Sequence, residues 1–313
     1  MSTEEKKTLI IILGATAVGK TTAAIVLARR FGGEIVSADS RQLYRGMNIG
    51  TAKPSAEEMN LVPHYLIDVA DPDQVWSLGI YQREAYRSIR QIHGQGKLPF
   101  LVGGTGQYIR SIMEGWLIPP QEPDIALREA ITHWAENIGS EALYDRLERI
   151  DPDAARQIDH RNVRRTIRAL EVIFKTGERF SDLRQKQTCR YHLIVMGINR
   201  PREVLYDRID QRVDEMLDQG LVQEVQGLLE VHFSPDLPTM SAIGYAEIIQ
   251  YLQGKLSLEE AVVLIKRNTR IFVRRQANWF KLEDERIKWF TVNTGDDDAQ
   301  LIDAMETHIK NNL

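Results

Sequence analysis

The stretch Gly14-Ala15-Thr16-Ala17-Val18-Gly19-Lys20-Thr21 decides the fold. It fits G-x-x-x-x-G-K-[ST], the phosphate-binding loop. Ahead of it, Thr8-Leu9-Ile10-Ile11-Ile12-Leu13 reads as a short buried strand. Behind it, Thr22 to Arg30 reads as a helix rich in Ala, Ile, Val and Leu. Strand, glycine loop and helix form the setting that the pattern requires. The glycines let the backbone turn tightly, and its N–H groups converge with the helix N-terminus on anionic oxygens. Lys20 adds a point charge, and the Thr21 hydroxyl can hold Mg²⁺. The loop therefore binds a phosphorylated ligand, without saying which one or what becomes of it.

Outward from the loop, the first ~115 residues alternate strand and helix signals, as a parallel sheet requires. Glu34 to Asp39, His64 to Val69 and Leu98 to Val102 read as further strands, and Ser77 to Ile92 as a helix capped by Ser77. The fourth strand runs into a second glycine turn, Gly103-Gly104-Thr105-Gly106. Ligands of open α/β sheets sit at the carboxyl ends of the strands. Asp39 and Thr105 both fall at such ends, on the side of the phosphate loop.

Gly115 to Pro123 interrupts the alternation with Pro119, Pro120 and Pro123. From Asp124 to about Lys175 the pattern is helical, and Tyr191 to Ile198 returns to a core strand. Pro201 onward is largely helical, with Lys288 to Val292 as a last strand. The reading is an α/β chain: a P-loop NTPase-like parallel sheet core, residues 1–117 and 190–313, carrying a helical insertion domain, residues 118–189.

Composition narrows the class. The 313 residues are 43% hydrophobic and 27% charged, with a formal net charge of −4. That is an ordinary globular balance, and any nucleic-acid contact must come from local basic patches. Cys189 is the single cysteine, so no disulfide framework can form within the chain, and a cytoplasmic protein is expected. No apolar run approaches a membrane span or a signal peptide. A metal other than phosphate-bound Mg²⁺ has no support in the sequence, which shows no HxxxH and no paired cysteines.

Asp39 can accept a proton, hold Mg²⁺ through water, or cap the next turn. Thr105 can contact a ligand or cap the helix that it opens. Arg161, Arg164, Arg165 and Arg168 recur at i, i+3, i+4 and i+7, which puts four guanidiniums on one helix face. Val163, Ile167, Leu170 and Phe174 mark the buried stripe opposite. Arginine suits bidentate phosphate recognition, and an anionic partner relieves the repulsion among the four. A second basic helix, Lys266 to Lys281, carries Arg267, Arg270 and Arg274 on one face, with Ile265, Phe272 and Trp279 on the buried side. Arg208 and Arg212 lie close to Asp207, Asp210 and Asp214, where local salt bridges are an equal expectation.

Together these stretches resemble the tRNA dimethylallyltransferases. The resemblance rests on the phosphate loop, Ser37-Ala38-Asp39-Ser40-Arg41-Gln42-Leu43-Tyr44 and Met47-Asn48-Ile49-Gly50-Thr51-Ala52-Lys53-Pro54. It continues in His64 to Asp68, Val102 to Gly106, Arg168 to Val172, Ala242-Ile243-Gly244-Tyr245 and Arg275-Gln276 with Trp279-Phe280. The motifs run in family order over nearly the whole chain. Ala15 stands where the family often has Pro, and Ala246 where Lys or Arg is common.

The resemblance implies transfer of a dimethylallyl group from dimethylallyl diphosphate to N6 of the adenosine 3′-adjacent to the anticodon. The acceptors are tRNAs reading codons that start with U, and diphosphate is released. It implies Mg²⁺ as cofactor, a monomer, and the tRNA anticodon stem-loop as partner. Asp39 and Thr105 are the implied catalytic residues. Gly14 to Thr21 and Arg212 would hold the diphosphate, or a nucleotide. The implied tRNA contacts are Asp39, Ser40, Arg41, Gln42, Thr105 and Arg128, then Arg164, Arg165, Thr166, Ile167 and Arg168, then Ser241, Ala242, Ile243, Gly244, Tyr245 and Ala246. Two rivals stand beside this reading. One is a small-molecule or nucleotide kinase moving the γ-phosphoryl group of ATP. The other is a non-catalytic RNA- or nucleotide-binding module.

Overall fold

The computed structural model describes residues 6–118, 124–183, 189–293 and 298–313. The prolines 119, 120 and 123 lie outside these residues. In chain order the elements begin β1 (Thr8–Gly14), α1 (Lys20–Arg30), β2 (Glu34–Ala38), α2 (Ala56–Leu61), β3 (His64–Tyr65), α3 (Leu78–Gly94), β4 (Pro99–Gly103) and α4 (Gly106–Met113). Five helices follow: α5 (Ile125–Ile138), α6 (Ser140–Ile150), α7 (Pro152–Gln157), α8 (Val163–Thr176) and α9 (Phe180–Leu183). The chain ends with β5 (His192–Asn199), α10 (Arg202–Asp218), α11 (Leu221–Glu230), α12 (Tyr245–Leu252), α13 (Leu258–Ala277), β6 (Lys288–Thr291) and α14 (Asp298–Lys310).

The six strands form one all-parallel sheet in the order β3-β2-β4-β1-β5-β6. This is the P-loop NTPase-like core. β1 lies between β4 and β5, and Leu9 to Leu13 are fully buried, which explains why its sequence is an unbroken apolar run. Ala23, Ala24 and Ala28 on α1 are buried and small enough for the helix to pack closely. Register sets the site. Leu13 and Ala38 both lie beside Gly103, so β1, β2 and β4 end on one level.

The third strand is shorter than its apolar run suggests. Pairing stops at Tyr65, because Leu66 and Asp68 adopt left-handed backbone, with φ of 62° and 54°. Ser77 does cap α3: its hydroxyl accepts the Ile80 N–H at 3.2 Å.

Two compact units are present. One comprises Met1–Trp76, Tyr81–Met113 and Arg190–Leu313, and the other Ser77–Ile80 and Glu114–Cys189. The second unit is helical and has its own core, built on Leu143, Leu147 and Leu170 with Ile131 and Ile167. Two aromatic side chains expected in cores are exposed. Phe174 is 47% exposed, and Ile173 takes the buried place near the end of α8. Phe272 is 41% exposed, because the buried stripe of α13 passes through Val273 and Gln276.

Candidate active site

The phosphate loop leaves β1 at Gly14 and enters α1 at Lys20, with Gly19 as N-cap at φ 102°, a conformation that favours glycine. Ala17 is also left-handed, at φ 63°. Its strain is held by side chains distant in sequence. Arg208 of α10 donates Nε–H to the Ala17 carbonyl at 2.9 Å, and Arg200 donates to the Val18 carbonyl at 3.0 Å. Gln276 of α13 accepts the Thr16 N–H at 3.0 Å and donates to the Gly104 carbonyl at 3.1 Å. One buried amide thus ties both glycine turns together.

A cavity of 770 Å³ opens beside the loop, lined by Gly19, Lys20, Thr21, Ile49, Arg208 and Arg212 among others. A smaller pocket of 70 Å³ shares Lys20, Thr21 and Arg212 with it and adds Thr16, Ser37 and Asp39. Lys20 donates Nζ–H to the Ala15 carbonyl at 2.6 Å. Burial pushes its ammonium group down to about 8, against the pull of Asp39 and with Arg212 adding to the fall. Burial lowers the Arg212 guanidinium too, again opposed by Asp39. Two cations, Lys20 and Arg212, thus face one carboxylate, and an anionic ligand would favour the charged form of both. The local salt bridges expected on α10 do not form around Arg212. Asp210 and Asp214 instead pair across to Arg270 and Lys266 of α13.

Asp39 and Thr105 meet at the strand ends. Asp39 Oδ1 accepts the Arg41 N–H at 2.9 Å, so the expected turn is formed while the carboxylate lines the smaller pocket. Thr105 Oγ1 accepts the Ser40 N–H at 3.0 Å, and its own N–H reaches the Ala38 carbonyl at 3.1 Å. Its hydroxyl is therefore spent on joining the two turns. Behind Asp39, Tyr81 donates to the Ser37 carbonyl at 3.1 Å and stacks on Tyr108, ring centroids 3.6 Å apart.

A family model described as IPP transferase matches residues 42–283, and one described as isopentenyl transferase matches residues 7–73. The chain belongs to the IPP transferase family. It is 45% identical to a tRNA dimethylallyltransferase of Thermomicrobium roseum, over 98% of this chain and 93% of that one. It is 50% identical to one of Roseiflexus castenholzii, over 87% and 89%. The crystal structure of a tRNA isopentenylpyrophosphate transferase from Bacillus halodurans superposes with a TM-score of 0.73 at 40% identity, covering 98% and 97% of the two chains. A eukaryotic dimethylallyltransferase caught acting on tRNA gives 0.82 at 27% identity, covering 98% of this chain and 80% of that one.

In this IPP transferase the donor set for a metal is sparse. Among the described residues no three His, Cys, Asp or Glu side chains cluster. Thr21 and Asp39 share the smaller pocket. One hydroxyl and one carboxylate fit a Mg²⁺ ion held chiefly by phosphate oxygens and water.

Other expected contacts are redistributed. Arg41 donates to the Pro238 and Thr239 carbonyls at 3.1 and 3.3 Å. Gln42 is an internal brace, accepting from the Ser37 hydroxyl and donating to the Ala52 carbonyl at 3.1 Å. Ser241 is exposed and Ile243 and Ala246 are half-buried, but Ala242, Gly244 and Tyr245 are buried. The Ala242 and Tyr245 side chains are therefore turned into the fold and not outward as tRNA contacts, and Gly244 has no side chain to offer. The residue pattern alone could not separate a buried hinge from a recognition loop.

In the helical unit, α8 starts at Val163, so Arg161 lies outside it and pairs with Asp159 at 2.9 Å. Arg128 and Arg168 converge on the buried carboxylate of Glu171, at 2.8 and 3.0 Å, and Asp124 N–H adds a third bond at 2.9 Å. Burial opposes ionisation of Glu171, yet these donors hold it below the usual range. Thr166 and Ile167 are buried in the helix core, which corrects them as tRNA contacts. The expected four-arginine face reduces to Arg164 and Arg165, both exposed.

Proposed function

We propose that the cavity beside the phosphate loop holds dimethylallyl diphosphate. The alkyl group then passes to N6 of the adenosine 3′-adjacent to the anticodon, in tRNAs reading codons that begin with U. Membership of the IPP transferase family, with relatives that are tRNA dimethylallyltransferases, makes the reaction class the transfer of a dimethylallyl group to tRNA. The observation that carries the detailed reading is the meeting of Lys20, Thr21, Arg212 and Asp39 around one pocket at the ends of β1 and β2.

The N6 lone pair attacks the allylic carbon as its bond to the diphosphate oxygen breaks, and the electron pair leaves with diphosphate. Lys20, Arg212 and the loop N–H groups stabilise the charge that grows there. Mg²⁺, held by Thr21 and phosphate oxygens, would neutralise part of the same charge. An aryl amine is a weak nucleophile, and Asp39 takes its proton. Thr105 holds the Ser40 turn, and with it Asp39, in register with the loop. The adenosine must leave the anticodon stack to reach this pocket. The single-cysteine composition and a tRNA substrate fit action in the cytoplasm.

Labelled dimethylallyl diphosphate incubated with unmodified tRNA tests the reaction. Label on the adenosine beside the anticodon is the expected result. ATP consumption against a mononucleotide, with unlabelled tRNA, would make the protein a kinase. The helical unit carries a separate expectation. Arg165→Ala weakens tRNA binding uniformly and lowers the slope of log affinity against log salt by about one. Titrations at several salt concentrations measure it, and an unchanged slope returns Arg165 to an ordinary solvated residue.

A further inference from the structure

The segment Met47-Asn48-Ile49-Gly50-Thr51-Ala52-Lys53-Pro54 is one wall of the 770 Å³ cavity, through Asn48, Ile49, Ala52, Lys53 and Pro54. It belongs to neither a strand nor a helix. Its backbone is instead pinned by side chains. Glu224 of α11 accepts three consecutive backbone N–H groups: Asn48 and Ile49 on Oε2, at 2.9 and 2.8 Å, and Gly50 on Oε1, at 3.2 Å. Three N–H donors converging on one carboxylate form a nest, and each bond is charge-assisted.

Tyr245, fully buried at the start of α12, completes the arrangement. Its hydroxyl donates to Glu224 Oε1 at 2.5 Å. Its ring packs on Gly50 so closely that a Cβ there would sit 2.4 Å from the ring, which reserves the position for glycine. On the other side, the buried Lys53 ammonium donates to the Tyr44 carbonyl at 2.9 Å, to Asn48 Oδ1 at 2.8 Å and to Asp68 at 2.5 Å.

The geometry points to Glu224 and Tyr245 as positioning residues for the isoprenoid donor: they set the 47–54 wall beside Lys20 and Thr21. This rests on the reading of the cavity as the site of dimethylallyl diphosphate. It gives the Ala242–Tyr245 stretch a role on the donor side of the reaction. Neither residue lines the cavity, so both act through the loop.

Two mild variants test this. Glu224→Gln replaces one acceptor oxygen with a donor that faces backbone N–H groups. Tyr245→Phe keeps the ring on Gly50 and removes only the hydroxyl. Glu224→Gln is expected to weaken dimethylallyl diphosphate binding roughly tenfold, and Tyr245→Phe by about three- to fivefold, as for one weakened charge-assisted bond. Calorimetry without tRNA measures the donor Kd, and steady-state kinetics should show KM for the donor rising more than kcat falls. The tRNA affinity of both variants stays at the wild-type value.

Wild-type donor affinity in Tyr245→Phe overturns the proposal, and so does a loss confined to tRNA binding, even where Glu224→Gln fails to fold. If the wild-type protein binds the donor but labels no tRNA, the reaction assignment fails while the shift in donor Kd still supports the clamp.

Discussion

Asp39→Asn is expected to lower turnover by about 10²–10⁴-fold at saturating substrates, the range for loss of a positioned general base. Asparagine is the informative replacement. It keeps an Oδ1 that can accept the Arg41 N–H, the bond seen at 2.9 Å, and so preserves the turn after β2. What it removes is the negative charge and the basicity. Asp39→Ala removes the turn bond as well and should lose turnover at least as severely. Affinity for tRNA should stay near the wild-type value in both, because Asp39 acts on one proton and not on the phosphate backbone. Single-turnover rates and tRNA binding, measured on the same preparations, decide the matter. A wild-type rate in Asp39→Asn would take the base assignment away from this residue.

Lys20→Met is expected to have two opposed effects. It should lower kcat/KM by about 10²–10³-fold, as for removal of a donor aimed at developing charge. It should also make the free protein more stable. Burial holds the Lys20 pKa at about 8, below its ordinary 10.5. Between these two values the folded protein binds fewer protons than the unfolded chain, so stability rises with pH across that window. Below about pH 8 the burial cost is present in full, and an apolar side chain of similar length removes up to about 3 kcal/mol of it. Melting temperatures should therefore favour Lys20→Met at pH 7 and converge with wild type as the pH nears 10.5. Donor binding has the opposite sign. The diphosphate binds the ammonium form, so wild-type affinity should fall by up to about tenfold per unit above pH 8. A Lys20→Met protein no more stable than wild type at pH 7 would show that the ammonium group is not strained by burial.

The α/β core was legible because its signals are local. The apolar run before Gly14, the glycine spacing and the alanine-rich helix each depend on neighbours within a few residues. The same holds for Asp39 and Thr105, which were placed at strand ends from the runs that precede them. Local reading failed where backbone or packing overrides pattern. The His64 to Val69 run is apolar enough for a strand, but the left-handed Leu66 and Asp68 end the pairing at Tyr65. Phe174 and Phe272 fit helical stripes, yet other residues of the same helices fill the buried positions. Arg161 fits the arginine periodicity but stands before the helix begins.

The eight residues from Gly14 to Thr21 implied, by themselves, a phosphate-binding loop between a strand and a helix. That holds because a nest of backbone N–H groups at a helix N-terminus is made by consecutive residues. Only the tertiary structure decided what holds this loop and what faces it. Gln276 reaches Thr16 across 260 residues, Arg208 reaches Ala17 across 191, and Glu224 reaches Gly50 across 174. Such bonds leave no periodicity in the chain, because each depends on the packing of α10, α11 or α13 against the sheet end. The same packing buries Tyr245 and lays its ring against Gly50, which no pattern in the chain announces.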